Sequence, residues 1–299
     1  VDYIPSADNC CALCWGDSTC KAWVYVKASG DTPSSCWIKG GAPTRKVHRP
    51  GVVSGLAPAR VAFEDAPPPQ ISYAGIVMSP SLFCFSLALP SGAEMGLLRW
   101  QLDRRVSIFA CSETSVYTNR TMQLTPGFST SLVDSDLHCD IGGYSGTALN
   151  SWIFIAVWKA VIGEGKYLRN DWTVKVDPDC VFFPDRLGVM LAQHAGAAYV
   201  NNCQYGMHGP IEVLGRTALD ALAADYAASE DGKAPKKCVE EQNFGQWGED
   251  MFLDQCLEKV LNVSRVYEWH ILVEDHCDPP PDWRSCSYEA AAFHPFKDA

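Results

Sequence analysis

The sequence predicts an α/β protein, with a mostly parallel sheet between helices, preceded by a small disulfide-rich α+β module. Three observations predict it. From Leu82 onward, strand-like and helix-like segments alternate, the pattern of helices packed on a parallel sheet. The first 60 residues instead carry five cysteines between short apolar pieces. Glu64-Asp65-Ala66-Pro67-Pro68-Pro69-Gln70 separates the two regions, and its three prolines resist helix and ladder pairing and favour an extended spacer. The predicted divisions are 1–62 for the module, 63–70 for the linker and 71–299 for the larger domain.

In the module, Ser6 to Trp15 reads as a short helix that Ser6 or Asp8 can cap. Cys10 and Cys14 then share one helix face. Ala22 to Lys27 and Cys36 to Lys39 read as strands. Disulfides between a small helix and strands compensate for a thin core. In the larger domain, Leu82–Leu89 reads as a strand, Ala93–Arg104 as a helix and Val106–Cys111 as a second strand. Thr147–Ile162 is a strongly apolar helix ending near Gly163. Trp172–Val176 is a strand running into Asp177, and Pro184–His194 is a helix with proline at its first position. Ala197–Asn201 reads as a strand, and Thr217–Ala228 and Glu249–Leu261 as helices.

Composition narrows the function classes. The chain has 299 residues, 47% hydrophobic and 20% charged, which is ordinary for a globular protein with a sizeable core. Its net charge of −11 argues against unaided binding to nucleic acid or anionic membrane. A metal-diphosphate ligand stays compatible, because the metal supplies positive charge locally. Val1-Asp2-Tyr3 lacks the basic start and apolar region of a signal peptide. No apolar run approaches the roughly 18–20 residues that span a bilayer. Ile71 to Pro90, the best candidate, is broken by Ser, Pro and Gly. The 14 cysteines form no paired CxxC knuckles, and sequons occur at Asn119-Arg120-Thr121 and Asn262-Val263-Ser264. Together they point to an oxidising compartment: the secretory-pathway lumen (Golgi or ER) or the exterior.

Trp172 to Asp179 carries the chemistry. An apolar strand runs straight into carboxylates at Asp177 and Asp179, with Pro178 stiffening the turn. Ligands of open α/β sheets bind outside the carboxyl ends of strands. Two carboxylates there can hold a hard divalent cation, which can take oxygens from a diphosphate. The competing reading is a turn with caps for the next helix. Glu249 and Asp250 open an amphipathic helix, where the helix dipole alone would favour them. A carboxylate fixed there could also take a proton from an acceptor hydroxyl. His294 lies in an apolar setting, structural or ligating. Asp134-Ser135-Asp136, a second DxD, follows a weaker strand, Thr130–Val133, and reads first as a turn. His276 reads as a site residue or a loop hydrogen-bonder. Trp247 and Trp283 read first as core packing, with sugar stacking as the alternative. Cys277 and Cys286 flank Asp278-Pro-Pro-Pro-Asp-Trp, and a bond between them would order the approach to His294. With five cysteines in the first part and nine in the second, Cys11 either pairs across the parts or with a cysteine upstream, or one thiol stays free in each part.

Two resemblances follow from these residues. Ser6-Ala-Asp-Asn-Cys-Cys-Ala-Leu-Cys14, Cys20-Lys-Ala-Trp-Val-Tyr25 and Cys36-Trp-Ile-Lys39 resemble a PAN/apple module. That resemblance implies Cys10–Cys36 and Cys14–Cys20 pairs and a protein- or carbohydrate-contacting role. Lys175-Val-Asp-Pro-Asp179, Gly206-Met-His-Gly-Pro210, Glu249-Asp-Met251 and Phe293-His294, in that order, resemble the GT-A glycosyltransferases. The likeness is to the inverting β1,3 group that includes Fringe and the core 1 β3-galactosyltransferases. It implies a Rossmann-like GT-A fold and a nucleotide-sugar donor, UDP-linked, with Mn2+ or Mg2+. Asp177, Asp179 and His294 would be metal ligands, with Asp177 alternatively on the ribose. Lys175, His208 and Gly209 would line the cofactor site with Asp177 and Asp179, and Asp250 would be the catalytic base. Pro178 stands where the family pattern has its middle aspartate, and His208 interrupts the Gly-rich loop. The expected partners are a nucleotide sugar and a glycan or glycoprotein acceptor. Two other readings stay open: a secreted adhesion or carbohydrate-binding protein whose GT-A-like domain has lost catalysis, and a metal-dependent hydrolase using the same carboxylates.

Overall fold

The computed structural model describes residues 7, 10, 14, 19–30, 32–41, 49–56, 79–143, 146–284 and 288–297. The Pro-rich spacer, Cys11, Cys286 and the candidate caps Ser6 and Asp8 lie outside the described residues. Two compact units form: Val1–Ile76 with Pro280–Tyr288, and Val77–Pro279 with Glu289–Ala299.

In the first unit, β1 (Ala22–Val26), β2 (Ser35–Lys39) and β3 (Val52–Leu56) form an antiparallel sheet in the order β2-β1-β3. Ala7, Cys10 and Cys14 are helical. Disulfides Cys10–Cys36 and Cys14–Cys20 are both formed, and with Trp23 and Tyr25 they make the core. The sequence reading did not foresee β3. Its Gly55 lies under the Trp23 indole, where a Cβ would come within 2.8 Å of the ring, so a larger residue there would have to displace the indole. Trp283 is buried, as the packing reading expected.

The second unit is a mixed α/β domain. Its elements in order are β4 (Leu82–Leu87), α1 (Ala93–Arg104), β5 (Glu113–Thr118), β6 (Ser131–Leu132), α2 (Ser151–Glu164), β7 (Trp172–Val176) and β8 (Val181–Phe182). Then come α3 (Pro184–Leu191), β9 (Tyr199–Asn201), β10 (Ile211–Gly215), α4 (Arg216–Ala227), α5 (Lys236–Glu241), α6 (Glu249–Gln255), β11 (Arg265–Tyr267), β12 (Leu272–Glu274) and β13 (Ala292–His294). The main sheet has the order β11-β9-β10-β7-β4-β5-β6. It is mostly parallel, and only β10 runs against both of its neighbours. A second sheet, β8-β13-β12, brings the end of the chain beside the segment after β7.

The core explains the alternation seen in the sequence. Along β4, Phe83 and Phe85 enter one hydrophobic cluster with Trp158 of α2, while Leu82 and Cys84 enter the other with Leu98 of α1. Both faces of the sheet are therefore covered, which is why its central strands read as near-continuous apolar runs. The Phe85 ring meets Tyr117 and Trp158 edge-on, at centroid distances of 5.5 and 5.1 Å.

Three expectations need correction. Val106–Cys111 is not a strand: Ser107–Ala110 forms a 3-10 turn, and β5 begins at Glu113. Ser107 takes a left-handed φ of 57°, which breaks extended backbone, and Cys111 is tied to Cys84 of β4. The apolar helix starts at Ser151, because Thr147–Ala148 pairs with Ile141–Gly142, and it ends on Gly165 at φ 68°. Cys277 pairs with Cys203, not Cys286. That bond clamps the turn after β12 to the loop after β9. Cys238–Cys256 closes a further loop, and Cys139 and Cys180 are free thiols. Five disulfides among the described residues fit an oxidising compartment. Among the described residues, no helix is long and apolar enough to cross a membrane.

Candidate functional site

The Asp177–Asp179 turn is built by its backbone. β7 is fully buried, and its last carbonyl, on Val176, accepts a 2.6 Å bond from Ser86 Oγ on β4. The Asp177 amide donates to Pro210 O at 3.0 Å, and the Cys180 amide closes the turn on Asp177 O at 3.0 Å. Gln101 of α1 reaches Pro178 O through its side-chain amide at 2.9 Å. Pro178 is buried in this turn, so the two carboxylates project from a fixed backbone. Phe296 N donates to Asp179 O at 2.8 Å and draws the chain after β13 onto the same turn.

That contact delivers His294. Its Nε2 lies 3.5 Å from Asp179 Oδ1, and ligand atoms of Asp177, Asp179 and His294 all fall within 4.8 Å of one another. Two carboxylates and one imidazole suit a borderline or hard divalent ion. The His294 Nδ1 faces Glu274 Oε2 at 3.2 Å, and the other Glu274 oxygen bonds His208 Nδ1. Glu274 is 3% exposed. Burial alone would raise its pKa, but the two imidazoles hold it down at about 2. Burial works against His294, yet Asp179 and Glu274 raise it to about 9. Burial pushes Asp179 up, but the bond to His294, the His294 charge, a backbone hydrogen bond and Lys297 together leave it lowered.

A second cluster adjoins the first. Lys175, fully buried on β7, places Nζ 2.6 Å from Asp177 Oδ1, 3.0 Å from Glu249 Oε1 and 2.5 Å from Gly209 O. It also sits 4.6 Å from the Phe154 ring centroid. Burial opposes its charge, but the surrounding carboxylates keep the ammonium strongly basic. Glu212 stands opposite Lys175 on β10, fully buried with neither carboxyl oxygen hydrogen-bonded. Desolvation pushes its pKa well up, against the pull of the Lys175 charge.

Helix α6 opens onto these groups. Asn150 Oδ1 accepts from the Glu249 amide at 3.0 Å, and Ser151 Oγ reaches the Trp247 and Gly248 carbonyls. Asp250 Oδ2 accepts from Gly209 N at 3.0 Å and Oδ1 from Met251 N at 2.7 Å. Burial and the Glu249 charge raise Asp250 to about 6, while nearby His208 and Lys175 oppose the shift. In the Gly206–Pro210 loop, Asn202 grips both backbone atoms of His208 at 2.9 Å.

The structure thus brings Lys175, Asp177, Asp179, His208, Gly209, Asp250 and His294 into one contiguous network. It leaves out Asp134 and Asp136, where Ser135 Oγ and Asp136 Oδ1 accept amides two residues on, as in a turn. His276 is exposed beyond Glu274. Trp247 packs partly against the core. Sequence reasoning missed Glu274 and Glu212. Leu272-Val273-Glu274 carries the same signal as β7, a short apolar strand ending in a carboxylate. Ile211-Glu212-Val213-Leu214 hides an acid inside an apolar run. A cavity of about 500 Å³ beside Pro80, Asn170, Trp172 and Arg216 lies at the opposite end of β7 and contains none of these groups.

Comparison with known proteins adds the following. No curated protein matches the chain. A solved structure described as a glycosyltransferase involved in the glycosylation of the major capsid of PBCV-1 is similar, at 10% identity and a TM-score of 0.42, over 72% of this chain and 92% of that one. The family model of the PAN domain matches residues 2–39, which carry β1, β2 and the Cys10–Cys36 and Cys14–Cys20 disulfides of the first unit.

Proposed function

We propose that the second unit is a metal-dependent glycosyltransferase of GT-A type. It moves a sugar from a UDP-linked donor to a hydroxyl of a glycan or glycoprotein, with inversion. The observation that carries this reading is the convergence of Asp177, Asp179 and His294 on one point, beside a carboxylate poised near neutrality. Asp179 and His294 would hold Mn2+ or Mg2+ directly, with the Asp177 oxygen not engaged by Lys175 as third ligand or ribose contact. The bound cation would supply positive charge to the leaving diphosphate.

The chain's own groups divide the remaining work. Asp250, ionised above about pH 6, takes the acceptor hydroxyl's proton. The acceptor oxygen bonds to the sugar's anomeric carbon on one face as the bond to phosphate breaks on the other, its electron pair leaving on the diphosphate. Lys175 is too buried to touch a ligand; it holds Asp177 and Glu249 in place. His208 and Gly209 belong to the loop that faces the donor. The PAN-like unit would contact protein or carbohydrate, in the secretory pathway lumen or outside the cell.

The Lys175–Asp177 pair favours one alternative, a binding protein whose GT-A-like domain no longer turns over, because it occupies part of the metal-site charge. Calorimetry with a panel of nucleotide sugars, with and without Mn2+, tests the proposal. Mn2+-dependent binding of a uridine nucleotide that disappears in Asp179→Ala is the expected result. No binding across the panel contradicts it, and glycan or protein binding that survives Asp179→Ala supports the alternative.

A further inference from the structure

We propose that Glu274 is a positioning residue that orients two imidazoles at once, so that His294 presents Nε2 to the divalent cation. This rests on the metal reading above.

The argument is geometric. Glu274 ends β12 and lies opposite His294 in the parallel pairing with β13. Its carboxylate is almost wholly buried, with Oε2 at 3.2 Å from His294 Nδ1 and Oε1 on His208 Nδ1. A carboxylate only accepts, so both imidazoles must place a proton on Nδ1. Each then directs its Nε2 away from Glu274, and for His294 that nitrogen faces Asp179. A ligating imidazole is neutral and carries one proton; this acceptor holds that proton on Nδ1 and leaves Nε2 for the cation in place of its contact with Asp179. Histidine ligands are commonly oriented by such a carboxylate, whose loss costs about 10–100-fold in metal affinity. Here one carboxylate serves two histidines from different segments, β13 and the Gly206–Pro210 loop. The Cys203–Cys277 disulfide braces it, joining the base of that loop to the turn directly after Glu274, with Cys277 Sγ 3.2 Å from His208 Nδ1.

The test uses the full chain and two readouts. Mn2+ affinity is measured from the free-ion electron paramagnetic resonance signal. Imidazole protonation sites are read from 15N spectra, with Zn2+ as a diamagnetic stand-in. In the Zn2+-loaded wild type, His294 carries its proton on Nδ1 and ligates through Nε2. Glu274→Ala lowers Mn2+ affinity about 10–100-fold. Glu274→Gln, nearly isosteric, can accept from one ring but must donate to the other, so one of the two histidines reverses its tautomer. Unchanged affinity in Glu274→Ala, or both rings keeping Nδ1–H in Glu274→Gln, overturns the proposal and leaves the metal reading intact. His294 ligating through Nδ1 in the wild type overturns it without any variant. No Mn2+ binding by the wild type removes the metal reading, and this inference with it.

Discussion

At the residue scale, burial and charge decide what each side chain can do. Lys175 was read from the sequence as a cofactor contact, yet its ammonium is enclosed and shared between Asp177, Glu249 and a carbonyl. Removing it leaves buried Glu249 and part-exposed Asp177 without the cation they share. Lys175→Met should therefore lower stability by about 3–5 kcal/mol, read from denaturant unfolding. Asp250 behaves differently. Its pKa in the folded chain, about 6, stands above the ordinary 3.8, so the folded protein binds the proton more tightly than the unfolded one. Between those values its contribution to stability falls as pH rises, and at neutral pH the ionised form is a net cost. Asp250→Asn should then leave the melting temperature at pH 7 unchanged or higher while abolishing transfer. The wild-type kcat/KM should show an acidic limb near pH 6, since the base works only when ionised. A flat profile between pH 5 and about 8 would remove Asp250 from that role.

At the element scale, the site depends on close approach between segments that are distant in sequence. Gly209 shows it most clearly. A Cβ there would stand 2.6 Å from Glu249 Oε1 and 3.6 Å from Asp250 Oδ2. Gly209→Ala should push α6 away from the loop, costing about 1–3 kcal/mol and most of the activity, measured by thermal melting and turnover together. The same dependence explains what the sequence could show. β4, α1, β7 and the start of α6 were legible because their periodicity and end signals are local. The Val106–Cys111 run was misread because apolar content alone does not distinguish a buried 3-10 turn from a strand. Glu274 and Glu212 stayed hidden because their partners lie far along the chain, His208 and Lys175 respectively. The pairing of Cys277 likewise depends on where β9 ends, and no spacing rule carries that.

At the scale of the whole molecule, two units of different construction serve different ends. The first holds itself together with disulfides around Trp23 and Tyr25, as a thin core requires. The second covers both faces of its sheet with apolar side chains, and its disulfides add to that core at Cys84–Cys111 and Cys238–Cys256 and brace two loops at Cys203–Cys277. A cation would reconcile the chain's −11 charge with a diphosphate ligand, which makes the Asp177–Asp179–His294 cluster the pivot of the account. Diffraction from crystals soaked with Mn2+ and UDP, recorded at a wavelength where manganese scatters anomalously, tests it most directly. The account predicts one manganese peak at about 2.0–2.3 Å from an Asp179 oxygen and from His294 Nε2, with the UDP phosphates on its open side. A peak elsewhere, or UDP seated in the cavity beside Trp172 and Arg216 with no metal at Asp179, would contradict it.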